Sequence, residues 1–201
     1  NPGMCRKAED LRTLVGKENY YRAFKDDTVA HIYTLSEGGE APIAEAERLA
    51  EAFGLKVNLR SAKTRRADAR KLHLTYGMRS TMFIVDRFRR WARQNKRKLM
   101  ILLSYDVPTV QRYLATGERF DEEFLDFLRR EKYLSVDCLS RAGEEFKTFR
   151  GTIIEFCSRF YVGRAGAQVF GHYKPYGNFW FAHAVRRDVV TWLKPKPPTY
   201  R

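Results

Sequence analysis

The sequence predicts an α/β protein, in which a mainly parallel β-sheet is flanked by helices to give three layers. Apolar segments of strand length alternate with amphipathic segments of helical spacing between residues 28 and 193. Residues 99–104 form a continuous apolar run bounded by charges, which is typical of a central strand covered on both faces. A hydrophobic content of 44% over 201 residues is enough for the core of one domain.

We expect three parts along the chain: a peripheral N-terminal segment at residues 1–27, an α/β domain at 28–193 and a Pro-rich tail at 194–201. No run of 18 or more apolar residues is present, so no segment is expected to cross a membrane. The first residues lack the apolar region of a secretory signal, which favours a cytoplasmic location. The cysteines are widely separated, which predicts free thiols in a reducing compartment and no metal site. They are Cys5, Cys138 and Cys157.

The first half of the predicted domain begins with the order strand, helix, strand. Residues 28–35 are rich in β-formers and are followed by the turn sequence 36–39, which predicts a strand. Pro42 suits the first turn of a helix that Gly54 ends. Residues 55–59 alternate between apolar and polar in the manner of a short strand.

The clearest amphipathic helix is expected at residues 78–95, after a solvated basic segment at residues 60–71. One side of this helix carries apolar residues that we expect to be buried: Ile84, Val85, Phe88, Trp91 and Ala92. The other side carries residues that we expect to face water: Arg87, Arg90, Arg93 and Gln94.

The second half of the predicted domain continues the alternation of helices and strands. Pro108 suits the start of a helix that stops at Gly117, and residues 134–139 have the composition of a further short strand. The remaining elements are expected as helices at residues 121–132, 140–149 and 152–160, a loop at 163–167 and a C-terminal helix capped by Asn178. The inward side of that last helix is expected to carry Phe181, Ala182, Val185, Val189 and Trp192.

Three polar residues lie at or close to the ends of predicted strands. Ser104 is the last residue of the predicted central strand, Asp106 follows it, and Asp137 lies near the end of the strand at 134–139. Because reactive groups in parallel sheets collect at the carboxyl ends of the strands, we expect these side chains at one edge of the sheet.

A histidine precedes the C-terminal helix in the segment Gly171-His172-Tyr173-Lys174-Pro175-Tyr176-Gly177-Asn178. This segment, with Ala182 in the helix behind it, resembles the C-terminal histidine block of the SGNH, or GDSL-type, ester hydrolases. Arg119-Phe120-Asp121 and Val136-Asp137 also look like parts of that family. The resemblance covers residues 80–198.

The resemblance implies an SGNH- or flavodoxin-like fold and hydrolysis or transfer of a small ester or acyl group, without a cofactor or a metal. His172 would be the general base that takes a proton from a hydroxyl nucleophile. Ser104 is the candidate nucleophile, and Asp137 is the candidate acid that orients His172. Asn178 and Tyr173 are the candidate substrate-binding residues.

Two features of the sequence depart from the family pattern. No Gly-Asp-Ser sequence occurs in the chain, and the family's usual acid, three residues before the histidine, falls on Val169. Three explanations stay open: the nucleophile half lies upstream of this sequence, the site has degenerated, or only the fold is shared. A degenerate fold would serve in protein interaction alone.

A second hypothesis is a non-catalytic basic module that binds nucleic acid or another polyanion through residues 60–71 and 87–98. The net charge is +14, and seven of the twelve residues at 87–98 are Lys or Arg. The candidate contacts are Arg87, Arg89, Arg90 and Arg93. Phe88 and Trp91 could stack on bases only if exposed, whereas the helical pattern predicts that both are buried. The pattern therefore favours a solvated basic surface without base stacking.

Overall fold

The structure is a computed structural model that describes residues 27–162 and 172–194. Most of the predicted N-terminal segment, the loop at 163–167 and nearly all of the Pro-rich tail lie outside these ranges, as do Cys5 and Val169. The helices within them are α1 (Thr28–Ser36), α2 (Ala44–Ala52), α3 (Arg65–Gln94), α4 (Val107–Thr116), α5 (Glu122–Arg130), α6 (Cys138–Thr148), α7 (Ile153–Phe160) and α8 (Pro175–Leu193). The strands are β1 (Ile101–Leu103) and β2 (Ser135–Asp137).

The predicted three-layer α/β fold is wrong, because the described residues are 66% helix and 5% strand and their sheet has only two strands. Residues 28–35, expected as a strand, lie in α1, and residues 55–59 form irregular backbone and a turn. The strands expected at 99–104 and 134–139 are present as three residues each. A mainly helical fold replaces the predicted layered sheet.

The described residues fall into two compact units, which meet in sequence at Phe83 and Ile84 within α3. The core of the first unit is formed by α1, α2 and the first part of α3. Its fully buried residues are Ile32, Leu35, Ala46, Ala50, Leu59, Ala69 and Leu72. Burial of this apolar surface is the main force that holds the first unit together.

α1 forms in a segment whose composition predicts a strand. Asp27 caps this helix, because its Oδ1 accepts a hydrogen bond of 2.8 Å from the backbone N–H of Ala30. Ile32 and Leu35 are three residues apart, so both lie on one side of the helix, and both are almost completely buried. The cap and this helical spacing outweigh the modest β-preference of the β-branched residues, which explains why the strand prediction is wrong.

The second unit, from Ile84, contains the parallel sheet. β1 and β2 pair in a register that sets Leu102 opposite Val136, and α4 and α5 form the crossover between the strands. Val136 is buried, but Leu102 keeps 40% of its surface exposed. β1 is therefore not the strand covered on both faces that its apolar run predicts.

Aromatic side chains form much of the core between α4, α6 and α7. Phe156 is fully buried, and its ring centroid lies 5.4 Å from those of Phe146 and Phe149 and 4.9 Å from that of Phe160. These pairs are edge-to-face, which is a favourable arrangement for aromatic quadrupoles. The predicted helix at residues 152–160 is confirmed, and so is the prediction that Phe156 faces inward.

α8 begins earlier than predicted. Pro175 occupies its first turn and Lys174 is the N-cap residue, so Asn178 lies inside the helix and does not cap it. Gly177 is buried in this first turn, where an added Cβ would lie only 2.1 Å from the carbonyl oxygen of Phe160. The Pro-x-Gly-Asn sequence is thus the start of the helix and the point at which it touches α7.

The inward side of α8 agrees with the prediction in part. Val185 is buried together with Val136 and Cys138, and Phe181 and Val189 pack against that cluster. Of the other two residues predicted to face inward, Trp192 is half-buried and Ala182 is exposed.

The packed side of α3 in the second unit is rotated from the predicted one. Three residues predicted to be buried are more than half exposed: Ile84, Phe88 and Trp91. Ala92 is buried, Val85 is half-buried and the Arg89 side chain is only 19% exposed. Val85, Arg89 and Ala92 follow the spacing i, i+4, i+7, so the centre of the packed stripe is rotated by about 70° from that of the expected one. Arg89 occupies a core-facing position, which is why the apolar pattern alone misplaces the stripe.

Cys138 and Cys157 are buried free thiols. Burial raises the pKa of each thiol to about 11. Both therefore stay protonated near neutral pH and are poor nucleophiles.

No helix in the described ranges combines the length and the apolarity needed to cross a bilayer. Residues 27–162 and 172–194 also contain no group of three or more His, Cys, Asp or Glu side chains able to hold a metal ion.

Candidate active site

The carboxyl ends of β1 and β2 lie at the same edge of the parallel sheet. Ser104 and Asp106 follow β1, and Asp137 is the last residue of β2. The carboxylate of Asp106 accepts a hydrogen bond of 3.0 Å from the N–H of Thr109 at the start of α4. That of Asp137 accepts from two N–H groups at the start of α6. Each strand is thus followed by a helix that an aspartate caps. This arrangement places Ser104, Asp106 and Asp137 at one edge of the sheet.

Ser104 is exposed, and its Oγ lies 3.3 Å from the hydroxyl oxygen of Tyr173. The ring of Tyr173 stacks on that of Tyr161 with centroids 4.8 Å apart. The Tyr161 hydroxyl lies 3.3 Å from the carbonyl oxygen of Tyr105, to which it can donate. Burial raises the pKa of Tyr161, so its phenol stays protonated. These contacts connect the end of β1 with the residue that follows His172.

His172 is exposed and is held through its backbone. Its carbonyl oxygen accepts a hydrogen bond of 2.7 Å from the N–H of Val162, and the N–H of Lys174 donates to the carbonyl oxygen of Phe160 at 2.8 Å. These bonds flank an antiparallel bridge between Tyr161 and Tyr173. Over the described ranges, the imidazole of His172 has no hydrogen bond or ion pair to another side chain. The structure therefore fixes the position of the backbone and leaves the ring accessible.

The contacts of Asp137 are with residues other than His172. Its carboxylate accepts from Arg119 at 2.6 Å, from the Ser140 hydroxyl and from the N–H of Leu139. Among the described residues no hydrogen bond joins it to His172. Its observed contacts cap α6 and hold Arg119, and its role in orienting His172 stays a prediction.

Arg119, between α4 and α5, ties together four side chains at this edge of the sheet. Its guanidinium donates to Asp121 at 3.0 Å, to Asp137 at 2.6 Å and to the hydroxyl of Tyr105 at 2.8 Å. It also lies 3.4 Å from the hydroxyl of Ser140. The side chains of Arg119 and Asp121 are only 10% and 4% exposed. This Arg119 cluster is the most buried group of charges at the site.

Three groups of the Arg119 cluster have pKa values shifted by their surroundings: Arg119, Asp137 and Tyr105. Burial alone would lower the pKa of Arg119, but hydrogen bonds to Asp121 and Asp137 outweigh it and raise that pKa. Burial alone would raise the pKa of Asp137, but hydrogen bonds from Arg119 and Ser140 lower it. Burial and the hydrogen bond to Asp121 raise the pKa of Tyr105. Arg119, Asp137 and Tyr105 therefore position the strand ends and do not exchange protons near neutral pH.

The sequence interpretation includes Arg119 and Asp121 only as part of a stretch that looks like the SGNH family. The pairing of Arg119 with Asp137 spans 18 residues of chain, so no local pattern reveals it. The available signal is an Arg-x-Asp spacing directly before a helix that connects two strands.

The two predicted substrate-binding residues differ in exposure. Asn178 is exposed in the first turn of α8, where its backbone N–H donates to the carbonyl oxygen of Lys174 at 2.9 Å. Tyr173 is half-buried, and its hydroxyl faces Ser104. Tyr173 is thus the one of the pair that touches the strand-end edge.

The four arginines of the second hypothesis also differ in exposure. The guanidinium of Arg89 lies 4.2 Å from the ring centroid of Tyr133 and donates to the carbonyl oxygen of Glu131 at 2.9 Å. Arg89 is thus turned inward, and its side chain is only 19% exposed. The other three are exposed: Arg87, Arg90 and Arg93.

The fold and this edge define a mainly helical protein with a buried charge cluster at the carboxyl ends of two parallel strands and an exposed histidine. No family model, curated protein or solved structure matches the chain. The resemblance to SGNH-type hydrolases stays a prediction based on the histidine block.

Proposed function

We propose that this chain is an ester hydrolase or acyl-transfer domain related to the SGNH type, with His172 as general base and Ser104 as the candidate nucleophile. The observation that carries the proposal is the 3.3 Å approach of the Ser104 hydroxyl to Tyr173, the residue next to His172. It supports a site in which the strand end and the histidine block act together.

The reaction follows from the groups at this edge. His172 takes the proton of the nucleophilic hydroxyl as its oxygen attacks the carbonyl carbon of a small ester. The protonated imidazole then gives that proton to the leaving alkoxide, and an acyl group stays on the enzyme. Water, or another alcohol, attacks the acyl group in the second step with His172 again as base. The exposed amide of Asn178 and the hydroxyl of Tyr173 are the proposed contacts to the substrate.

The Arg119 cluster supports this chemistry by holding the structural elements around the site in place. Arg119 holds Asp121 and Asp137, which fixes α5 and α6 relative to the end of β1. A nucleophile at a strand end needs a rigid support, because a displacement of about 1 Å can cost about 100-fold in rate. Action in a reducing compartment such as the cytoplasm belongs to the same proposal and is supported by the two buried free thiols.

We expect the protein to hydrolyse short-chain p-nitrophenyl esters, and His172→Ala to lower kcat/KM by about 100- to 10,000-fold, the usual contribution of a general base. The release of p-nitrophenol measures the rate. His183→Ala is the matched control, since His183 is an exposed histidine of α8 and should keep the wild-type rate.

Two results would contradict this proposal. One is the absence of turnover by the wild-type chain across short acyl esters. The other is an unchanged rate in His172→Ala whose circular dichroism spectrum matches the wild type.

A further inference from the structure

The outward side of α3 in the second unit combines exposed aromatic rings with arginines. We define the α3 face as Ile84, Arg87, Phe88, Arg90, Trp91 and Gln94. Phe88 and Trp91 are 57% and 54% exposed, and their ring centroids lie 6.2 Å apart. Arg87, Arg90 and Gln94 line the same surface depression as these rings. Neighbouring exposed rings in one depression are a more specific sign of an interaction surface than a single exposed ring.

The exposure of the rings follows from how α3 is anchored. Arg89 reaches inward to Tyr133 and Glu131, and Ala92 is buried on the same side. That contact turns Phe88 and Trp91 outward, because they lie on a different side of the helix. The face is therefore a consequence of the packed structure.

The charge of this segment favours an anionic partner. Residues 84–94 contain four arginines and a single acid, Asp86. Asp86 is shared between Arg89 and Arg90, while Arg90 keeps 62% of its side chain exposed. A basic surface of this kind raises the local concentration of phosphate or carboxylate groups.

We propose that the α3 face binds single-stranded nucleic acid, with phosphates on Arg87 and Arg90 and bases stacked on Phe88 and Trp91. Base faces are accessible in a single strand, and stacking on aromatic side chains is tolerant of sequence. A duplex hides its base faces, so it would use the arginines and leave the rings unoccupied.

The test measures the anisotropy of a fluorescein-labelled oligothymidylate of about 15 nucleotides at several salt concentrations. Contact with two phosphates predicts that the logarithm of the affinity falls with the logarithm of salt concentration with a slope of about −1.4. Trp91→Ala should weaken binding by about tenfold, because one stacked base is lost. Phe179→Ala is the matched control, since Phe179 is an exposed aromatic residue of α8 and should keep the wild-type affinity.

Two double variants with reversed charges complete the experiment. Arg87→Glu with Arg90→Glu should remove binding, whereas Arg186→Glu with Arg187→Glu on α8 makes the same change in net charge and should weaken it far less. Circular dichroism should match the wild type in every variant, because the substituted side chains are exposed.

Four results would overturn the proposal. They are no binding of the oligonucleotide, equal affinity for duplex of the same length, equal affinity for heparin with no effect of Trp91→Ala, and tighter binding of an acidic peptide such as polyglutamate. The third describes an unspecific basic surface, and the fourth describes a protein partner.

Discussion

Arg119→Met should lower the free energy of unfolding by about 3 kcal/mol, because it leaves two carboxylates buried without their cation. Arg119 and Asp121 are 10% and 4% exposed, so water can replace little of the lost interaction. The value is placed at the lower end of the range for a broken buried pair, since Asp137 keeps 23% of its side chain exposed. Urea denaturation followed by circular dichroism measures the change.

Arg112→Met is the matched control for this substitution. Arg112 pairs with Glu118 a few residues away, but both side chains are more than 60% exposed. Loss of such a surface pair should cost less than about 1 kcal/mol. Adding Asp121→Asn to Arg119→Met should restore part of the stability, because one unpaired carboxylate is removed. Equal losses in Arg119→Met and Arg112→Met would contradict the assigned role of the cluster.

Lowering the pH should reduce the stability that the Arg119 cluster provides. Hydrogen bonds from Arg119 and Ser140 hold the pKa of Asp137 below its ordinary value of 3.8 despite burial. Because the pKa of Asp137 is lower in the folded state than in the unfolded state, ionised Asp137 stabilises the fold at pH values above its unfolded-state pKa. This stabilisation is lost as the pH falls through its folded-state pKa. Asp137→Asn should therefore flatten the loss of stability below about pH 4.

Gly177→Ala should have the second large effect. A Cβ at this position would lie 2.1 Å from the carbonyl oxygen of Phe160 and 2.9 Å from the ring of Tyr173. That carbonyl accepts the hydrogen bond from Lys174, so backbone must move and the support of His172 must move with it. We expect a loss of about 3 kcal/mol or more, at the upper end for overpacking, because the clash is with backbone.

Gly77→Ala is the matched control and should have the opposite sign. Gly77 lies inside α3, and an added Cβ there meets no atom within 4 Å. Replacing a glycine in a helix interior by alanine should raise stability by about 0.5–1 kcal/mol. Thermal unfolding of both variants compares the two effects. A stable Gly177→Ala variant would show that α8 does not approach α7 as closely as the structure has it.

The sequence predicts best the elements whose ends carry local signals. α4 has Asp106 as its cap, Pro108 in its first turn and Gly117 in the left-handed conformation at its end, and it lies where it is expected. α7 begins with a capping box formed by Thr152 and Glu155. These signals act over four residues or fewer, so tertiary contacts do not override them.

The failures arise where distant contacts decide the outcome. Residues 28–35 become a helix because Ile32 and Leu35 pack into a helical core. The apolar run at 99–104 gives a strand with one partner and a half-exposed Leu102, since composition cannot show how many strands will pair. The strand-end residues Ser104 and Asp137 are located by the sequence, whereas the charge cluster of Arg119 depends on contacts across 18 residues.

A fluorophosphonate probe tests the pairing of Ser104 with His172 most directly, because an activated hydroxyl displaces fluoride and keeps the phosphonyl group. Mass spectrometry of the digested protein locates the adduct. We predict one adduct, on the peptide that contains Ser104, and its loss in both Ser104→Ala and His172→Ala. An adduct that forms on Ser104 at the wild-type rate without His172, or no adduct on Ser104 at all, would contradict the account.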